Sequence, residues 1–246
     1  PIYNFASAVE IDSSQCIDCG NCVEACQKQG IGYLQLAGHG ADQEIKPVKD
    51  PKKACVYCGQ CANACPVAAA SEHGAWQEVE AVLRDKKKIV VAQFAPAVRV
   101  ALGEEFGLPI GTNCEGKIHS ALRKLGFKYS FDVNFAADVT TLAEAEELLE
   151  RLGKKKAVFP MMTSCCPAWV AYAEFYHSEL LPNLTTVRSP QIIQGGAIKA
   201  YWAEKKNLDA RNIVVVSIMP CTSKKYEAKR PELTIDGRAI VDYVLT

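Results

Sequence analysis

The sequence lacks net charge, since 28 Lys and Arg balance 28 Asp and Glu over 246 residues. Such a balance speaks against a dedicated binder of nucleic acid or anionic membrane, both of which draw on a basic surplus. It also lacks any apolar run near the roughly 18–20 residues of a membrane-spanning helix. Its N-terminus has no charged stretch followed by an apolar one, the mark of an export signal. A cytoplasmic protein is the resulting expectation. There is no initiating Met either; Pro1 stands first, so the start is read as processed or cut from something longer. What is left is an ordinary globular composition, 49 % hydrophobic and 23 % charged.

Cysteine is the exception. Twelve are too few for a disulfide scaffold of this length, yet they are clustered. In reducing conditions clustered thiols favour metal over disulfide. "CIDCGNCVEAC" places Cys16, Cys19, Cys22 and Cys26 in a C-x2-C-x2-C-x3-C spacing. "CVYCGQCANAC" repeats it with Cys55, Cys58, Cys61 and Cys65, followed by Pro66. This is the bacterial two-cluster ferredoxin run, in which the fourth cysteine of each run ligates the other cluster. Cys16, Cys19, Cys22 and Cys65 are thus expected on one 4Fe–4S cluster, and Cys55, Cys58, Cys61 and Cys26 on the second. Structural zinc also uses C-x2-C pairs, but four-ligand zinc has no use for the third cysteine of each run. Gln27 departs from the usual proline, and the long linker 27–54 reads as a loop insertion turning at "LAGHGADQE". Two clusters make an electron wire, and a wire implies a redox site at its end.

Beyond residue 74 the pattern changes. "KIVVAQF", "YSFDVNF", "AVFPMMTS", "NIVVVSIM" and "AIVDYVL" read as strands. "AWQEVEAVLRDKK", "APAVRVALGEEFG", "EGKIHSALRKLG", "TTLAEAEELLERLG", "PAWVAYAEFYH" and "SPQIIQGGAIKAYWAEKK" read as helices between them. The expected fold is an α/β domain over 75–246, a mostly parallel sheet with helices on both faces, preceded by an α+β ferredoxin-like domain over 1–74. Cys165, Cys166 and Cys221 each follow a strand and precede a helix, where α/β sheets place their sites. A helix N-terminus there favours negative charge. Cys114 stands alone and reads as a small core residue.

"TSCCPAW" and "MPCTSKKYEAKRPEL", behind a two-cluster ferredoxin module, resemble the first and second signature motifs of the iron-iron hydrogenases. "FAPAVRVALGEEFG", "ALRKLGF", "FDVNFAADVT" and "SPQ" extend the likeness along nearly the whole chain. The resemblance implies reversible H2 oxidation at an H-cluster, a 4Fe–4S cube bridged to a two-iron unit carrying CO, cyanide and a dithiolate. By motif, Cys166 and Cys221 would be two of the four cube ligands, and Cys165 the proton-transfer thiol. Lys224 would hydrogen-bond one cyanide, Ala95 and Pro96 would border the other, and Met219 and Gln191 would line the two-iron pocket. Protons would arrive by Arg151, Glu144, Thr185, Glu147 and Cys165. Thr185 stands where serine is usual and keeps the hydroxyl. Residues 144, 147 and 151 share one helical face; without the resemblance they would read as a solvated acidic helix with a weak surface pair. Ala168 and Met162 depart from the usual glycine and phenylalanine beside the cluster without removing a ligand.

The family's third motif, with the other two cube ligands, is not in the sequence. The expectation is a piece of a longer hydrogenase, a truncated product or a split subunit whose partner supplies the remainder. The other readings are an inactive electron-transfer or scaffold subunit, and a hydrogenase-like iron–sulfur assembly factor. Ferredoxin or another redox protein is the expected electron partner, with H2 and protons as substrates.

Overall fold

In the computed structural model, which describes all 246 residues, β1 (Ile2–Phe5) and β2 (Val9–Asp12) form an antiparallel hairpin. Val9 and Ile11 lie two apart on β2, so both turn to one face, where they are buried. Helix α1 (Asn21–Lys28) carries the end of the first cysteine run. The linker is a second hairpin, β3 (Leu34–Ala37) with β4 (Glu44–Pro47), turning through the stretch expected to turn. A short α2 (Gln60–Asn63) and β5 (Ala70–Glu72) complete the repeat, and β5 pairs with β2.

The next elements are α3 (Trp76–Arg84), β6 (Ile89–Phe94), α4 (Pro96–Ala101), α5 (Glu115–Leu125), β7 (Tyr129–Asp132) and α6 (Asn134–Gly153). Then come α7 (Pro167–Tyr176) and α8 (Pro190–Ala197), which runs through a π turn (Ile198–Trp202) into α9 (Ala203–Lys205). β8 (Ile213–Ile218), α10 (Ser223–Ala228), the small hairpin β9 (Thr234–Ile235) and β10 (Arg238–Ala239), and β11 (Tyr243–Leu245) end the chain. No helix is long and apolar enough to cross a membrane.

Strands β11, β8, β6 and β7 lie in that order in one all-parallel sheet. Period-two alternation splits its side chains into two cores. Val91, Ile213 and Val215 face the helices α6 and α8, through Ala136, Ile192 and Ile198. Val90, Ala92, Phe94, Val214 and Val216 face α3 and α5, through Val79, Ile118 and Leu122. Each wholly buried Val or Ile contributes about 1.5–3 kcal/mol of burial. Gly195 lets α8 pack closely, because a Cβ there would sit 2.9 Å from Val241 Cγ2.

The chain forms two compact units. The first is 1–73 with 166–182 and 221–226; the second is 74–165, 183–220 and 227–246. Residues 166–182 and 221–226 therefore cluster with the N-terminal unit, which a single division at 74 does not anticipate. Residues 157–164 are not a strand. They make one parallel bridge, Met162 to Leu184, because Pro160 has no N–H to give a ladder. "YSFDVNF" stops at Asp132, whose carboxylate accepts from the Asn134 amide at 2.7 Å as α6 begins.

Candidate functional site

In the first unit the eight cysteines of the two runs sort themselves into two apolar cavities. Cys16, Cys19, Cys22 and Cys65 line one, with Ile11, Ile45 and Ala70. Cys26, Cys55, Cys58 and Cys61 line the other, with Val9, Tyr33 and Leu34. The two runs share a backbone design. Asp18 and Tyr57 have left-handed φ of 54° and 60°, and Gly20 and Gly59 have φ of 78° and 75°. The left-handed residues turn their amides onto sulfur, Asp18 N to Cys16 Sγ at 3.4 Å and Tyr57 N to Cys55 Sγ at 3.3 Å. The fourth cysteines receive Tyr33 N on Cys26 at 3.2 Å and Ala70 N on Cys65 at 3.3 Å.

This donor set fits 4Fe–4S cubes. Four thiols surround each void from outside, and amide donors reach the sulfurs, as cluster sites require. Burial pushes the Cys22 thiol up to about 11 and the Cys55 and Cys61 thiols to about 12. They hold their protons until iron displaces them.

The same unit gathers two further cysteines. Cys166 caps α7, with Pro167 at the first helical position, as its φ and lack of an N–H suit. Burial raises the Cys58 thiol, and the neighbouring Cys26 and Cys166 add to that. Down α7, Tyr172 and Tyr176 pack against Ile31 and Val56. The Tyr176 hydroxyl accepts from Ala54 N at 2.8 Å and donates to Ala54 O at 2.7 Å, next to Cys55. Cys221 Sγ lies 3.0 Å from Ser223 Oγ. Thr222 Oγ1 donates to Tyr57 O at 2.8 Å, and Tyr226 stacks on Tyr57 at 4.1 Å. Gly59 is required here on two counts: its φ is positive, and a Cβ would meet Thr222 Oγ1 at 2.6 Å. Lys224 lies half-buried on the first turn of α10, its amide donating to Cys221 O.

In the second unit, Glu147 is the hub of the acidic helix. Its Oε1 accepts from Arg151 Nη2 at 2.6 Å, and its Oε2 from Thr185 Oγ1 at 2.6 Å and Thr186 N at 2.9 Å. Burial alone would raise its pKa, but these bonds outweigh it and hold the carboxyl down at about 2. Glu144, one turn earlier, is pushed up by burial and by repulsion from Glu147. The carboxylate bonded to both Arg151 and Thr185 is thus Glu147, where the order expected from the sequence puts Glu144. Met162 N donates to Asn183 O, Thr185 N to Met162 O, and Ser164 Oγ to Val187 O. The segment ending in exposed Cys165 is thus laced to the one carrying Thr185; the Cys165 thiol points to Thr163 Oγ1 at 4.0 Å.

Glu147→Gln should lower stability by about 1–3 kcal/mol, the cost of disrupting buried bonds to a charge. Because the folded carboxyl sits below its ordinary value, it stabilises above about pH 4.5 and ceases to as pH falls through about 2. Denaturant unfolding at stepped pH should show that window in the parent and a flatter profile in the variant. Equal slopes would contradict this assignment.

Ala95 and Pro96 follow β6 and Met219 follows β8, at the carboxyl ends of adjacent strands whose connections run to opposite sides of the sheet. Ala95 N donates to Ile218 O at 3.0 Å; Met219 is buried in the sheet's core. Gln191, on the first turn of α8, donates to Glu227 Oε2 at 3.0 Å. Sequence reading missed Gln93, which is buried in β6 and donates to Ser217 Oγ at 2.6 Å and to Gln191 O at 3.0 Å. A glutamine inside a continuous apolar strand was its signal. Thr186 was also missed, with adjacency to Thr185 its only mark. Cys114 is buried among Ile118 and Leu122, its thiol donating to Thr112 O.

Residues 88–246 match the family described as iron only hydrogenase large subunit, C-terminal domain, and residues 9–69 match a 4Fe–4S dicluster domain. Iron hydrogenase 1 of Clostridium pasteurianum is 44 % identical over 98 % of this chain and 42 % of its own length. The periplasmic Fe hydrogenase large subunit of Nitratidesulfovibrio vulgaris is 44 % identical over 97 % of this chain and 55 % of its own. The cytosolic Fe–S cluster assembly factor narfl of Danio rerio is 34 % identical over 69 % of this chain and 44 % of its own. A HydA structure describing stepwise assembly of the hydrogenase H-cluster superposes with a TM-score of 0.66 at 40 % identity, over 69 % of this chain and 44 % of that one. The chain thus spans about half the length of the hydrogenases it matches. Iron–sulfur clusters are its cofactors: two 4Fe–4S clusters by the dicluster match, and an H-cluster by the hydrogenase match where the ligands missing from this chain are supplied.

Proposed function

Because the chain belongs to the iron-only hydrogenase family, we propose that it contributes to interconverting H2 with protons and electrons. In this reading residues 1–74 are the electron wire and 75–246 the first part of the catalytic domain. The observation that carries it is the gathering of Cys166 and Cys221 into the unit that holds both cysteine cavities. Cys16, Cys19, Cys22 and Cys65 would hold one 4Fe–4S cluster and Cys26, Cys55, Cys58 and Cys61 the other. Cys166 and Cys221 would supply two cube ligands, and the other two would come from polypeptide outside these residues. When bound, the H-cluster supplies the iron at which H2 forms or is cleaved.

The chain's own residues would do the rest. Lys224 would donate a hydrogen bond to one cyanide, Ala95 and Pro96 would border the other, and Gln191 and Met219 would wall the two-iron pocket. Cys165 Sγ would pass the proton. Glu144, whose pKa burial and the neighbouring Glu147 push up, is the carboxyl of the pair that would more readily take up a proton. Glu147, held at about 2, is suited to anchor Arg151 and orient the Thr185 hydroxyl. The revised order of the route is Arg151, Glu147, Thr185, Glu144, Cys165. Ferredoxin or another redox protein would exchange electrons with the wire, in the cytoplasm, although one relative is named as periplasmic.

The likeness to the narfl assembly factors favours one second reading, a role in iron–sulfur assembly. The eight-cysteine pattern and the Cys165–Cys166 pair favour the hydrogenase. A hydrogen assay separates them, run on this chain co-expressed with the polypeptide carrying the remaining ligands and with H-cluster maturation proteins. Turnover is expected; a fully cluster-loaded complex without turnover would reject the catalytic role and leave electron transfer or assembly.

A further inference from the structure

Helix α6 is built inside out. Its inner face carries Ala136, Thr140, Glu144, Glu147 and Arg151, the last two ion-paired and mostly buried. Phe135, Val139, Leu142 and Leu149, at i, i+4, i+7 and i+14, form a stripe roughly opposite. They face solvent: Phe135 is 58 %, Leu142 68 % and Leu149 69 % exposed, with Leu152 at 65 % on the margin. A helix free on a surface does the reverse, turning leucines in and glutamates out. Large apolar side chains exposed along one helix face mark an interaction site.

The spacing of four, three and then seven residues is that of a helix–helix seam, in which every third or fourth side chain meets a partner helix. The position at i+11 is Glu146, exposed in the middle of the seam. What would cover it is indicated by the relatives. Hydrogenases 40–44 % identical to this chain match it over only 42–55 % of their own lengths, so about half of each lies outside the matched region.

We propose that the α6 stripe is the seam on which the rest of the family's catalytic domain docks, through an apolar helix laid along Phe135, Leu142 and Leu149. The inference rests on the hydrogenase reading and adds to it the surface used. Docking there covers the outer side of the helix whose inner side holds Glu144, Glu147 and Arg151. Closing the catalytic domain and fixing the acidic face thereby become one event.

The test co-expresses the tagged chain with the segment of the Clostridium pasteurianum iron hydrogenase 1 that follows the matched region. Native mass and iron content are then measured. A one-to-one complex is expected for the parent chain. Leu142→Glu with Leu149→Glu should reduce it at least tenfold, with the ferredoxin iron kept at about eight atoms per chain. Phe106→Glu with Ile110→Glu, at another exposed apolar patch, should leave it intact. If the leucine variant loses its iron, amide exchange on the parent decides, and residues 135–152 should exchange more slowly when the complement is present. The proposal is overturned by a leucine variant that binds like the parent or by unchanged exchange along α6. It is equally overturned by no complex with the parent, or by a homodimer of the chain that the same substitutions break. A complex that needs the leucines yet turns over no hydrogen would uphold the seam and reject catalysis, so the two failures are distinct.

Discussion

Cys165→Ala is expected to cut hydrogen turnover by about 10²–10⁴-fold, the range for removing a positioned proton donor, while leaving cluster content unchanged. Cys165 is exposed and lies outside both cysteine cavities, so its loss should take away no iron. Its segment is held to the stretch carrying Thr185 by Met162, Thr185 and Ser164 bonds that do not involve its side chain. The backbone should therefore stay in place when the thiol goes. Cys166→Ala, one residue on, should do the opposite and prevent the cube from binding. Adjacent residues with separable losses, one of proton transfer and one of iron, distinguish two roles from one. Near-parent turnover in Cys165→Ala would reject its role as proton donor.

Cys65→Ala should remove one ferredoxin cluster and spare the other, taking iron in those clusters from about eight to about four atoms per chain. The cluster lost should be the one held by the first run, although Cys65 belongs to the second. The cavity geometry decides this, because Cys65 faces Cys16, Cys19 and Cys22 across one void. Cys26→Ala should give the mirror result at the cavity of Cys55, Cys58 and Cys61. Each cluster would fill part of the N-terminal core, and cysteines of both runs pack with Ile11, Leu34 and Ile45. Metal binding and folding are coupled in such small cores, so the variant should also unfold more readily. Pairing Cys65→Ala with Cys19→Ala provides the check. If both ligate one cluster, the double variant retains the same iron as Cys65→Ala alone. Loss of both clusters from the double variant alone would contradict the crossed arrangement.

The cysteine runs were legible because cluster ligation fixes residue type and spacing together, and neither can drift without losing a thiolate. The sheet was legible because β6 and β8 are buried on both faces and so read as continuous apolar runs. The acidic face of α6 followed from helical period alone. Which glutamate meets Thr185 did not, since residues 144 and 147 share the face and only the path of the chain at 183–186 chooses between them. The apolar run at 157–164 misled for the same kind of reason: hydrophobicity does not show that Pro160 leaves a ladder without a donor. Nor could sequence show that 166–182 joins the N-terminal unit. That depends on Tyr172 and Tyr176 packing against Ile31 and Val56, contacts more than a hundred residues apart.

In the proposed function, Cys166 and Cys221 hold a catalytic cluster in a chain that also carries two ferredoxin clusters. The most direct test is iron quantification with infrared spectroscopy on the matured complex of this chain and its complement. About fourteen iron atoms are expected, eight in two 4Fe–4S clusters and six at the catalytic site, together with bands from bound CO and cyanide. About eight iron atoms and no such bands would contradict it.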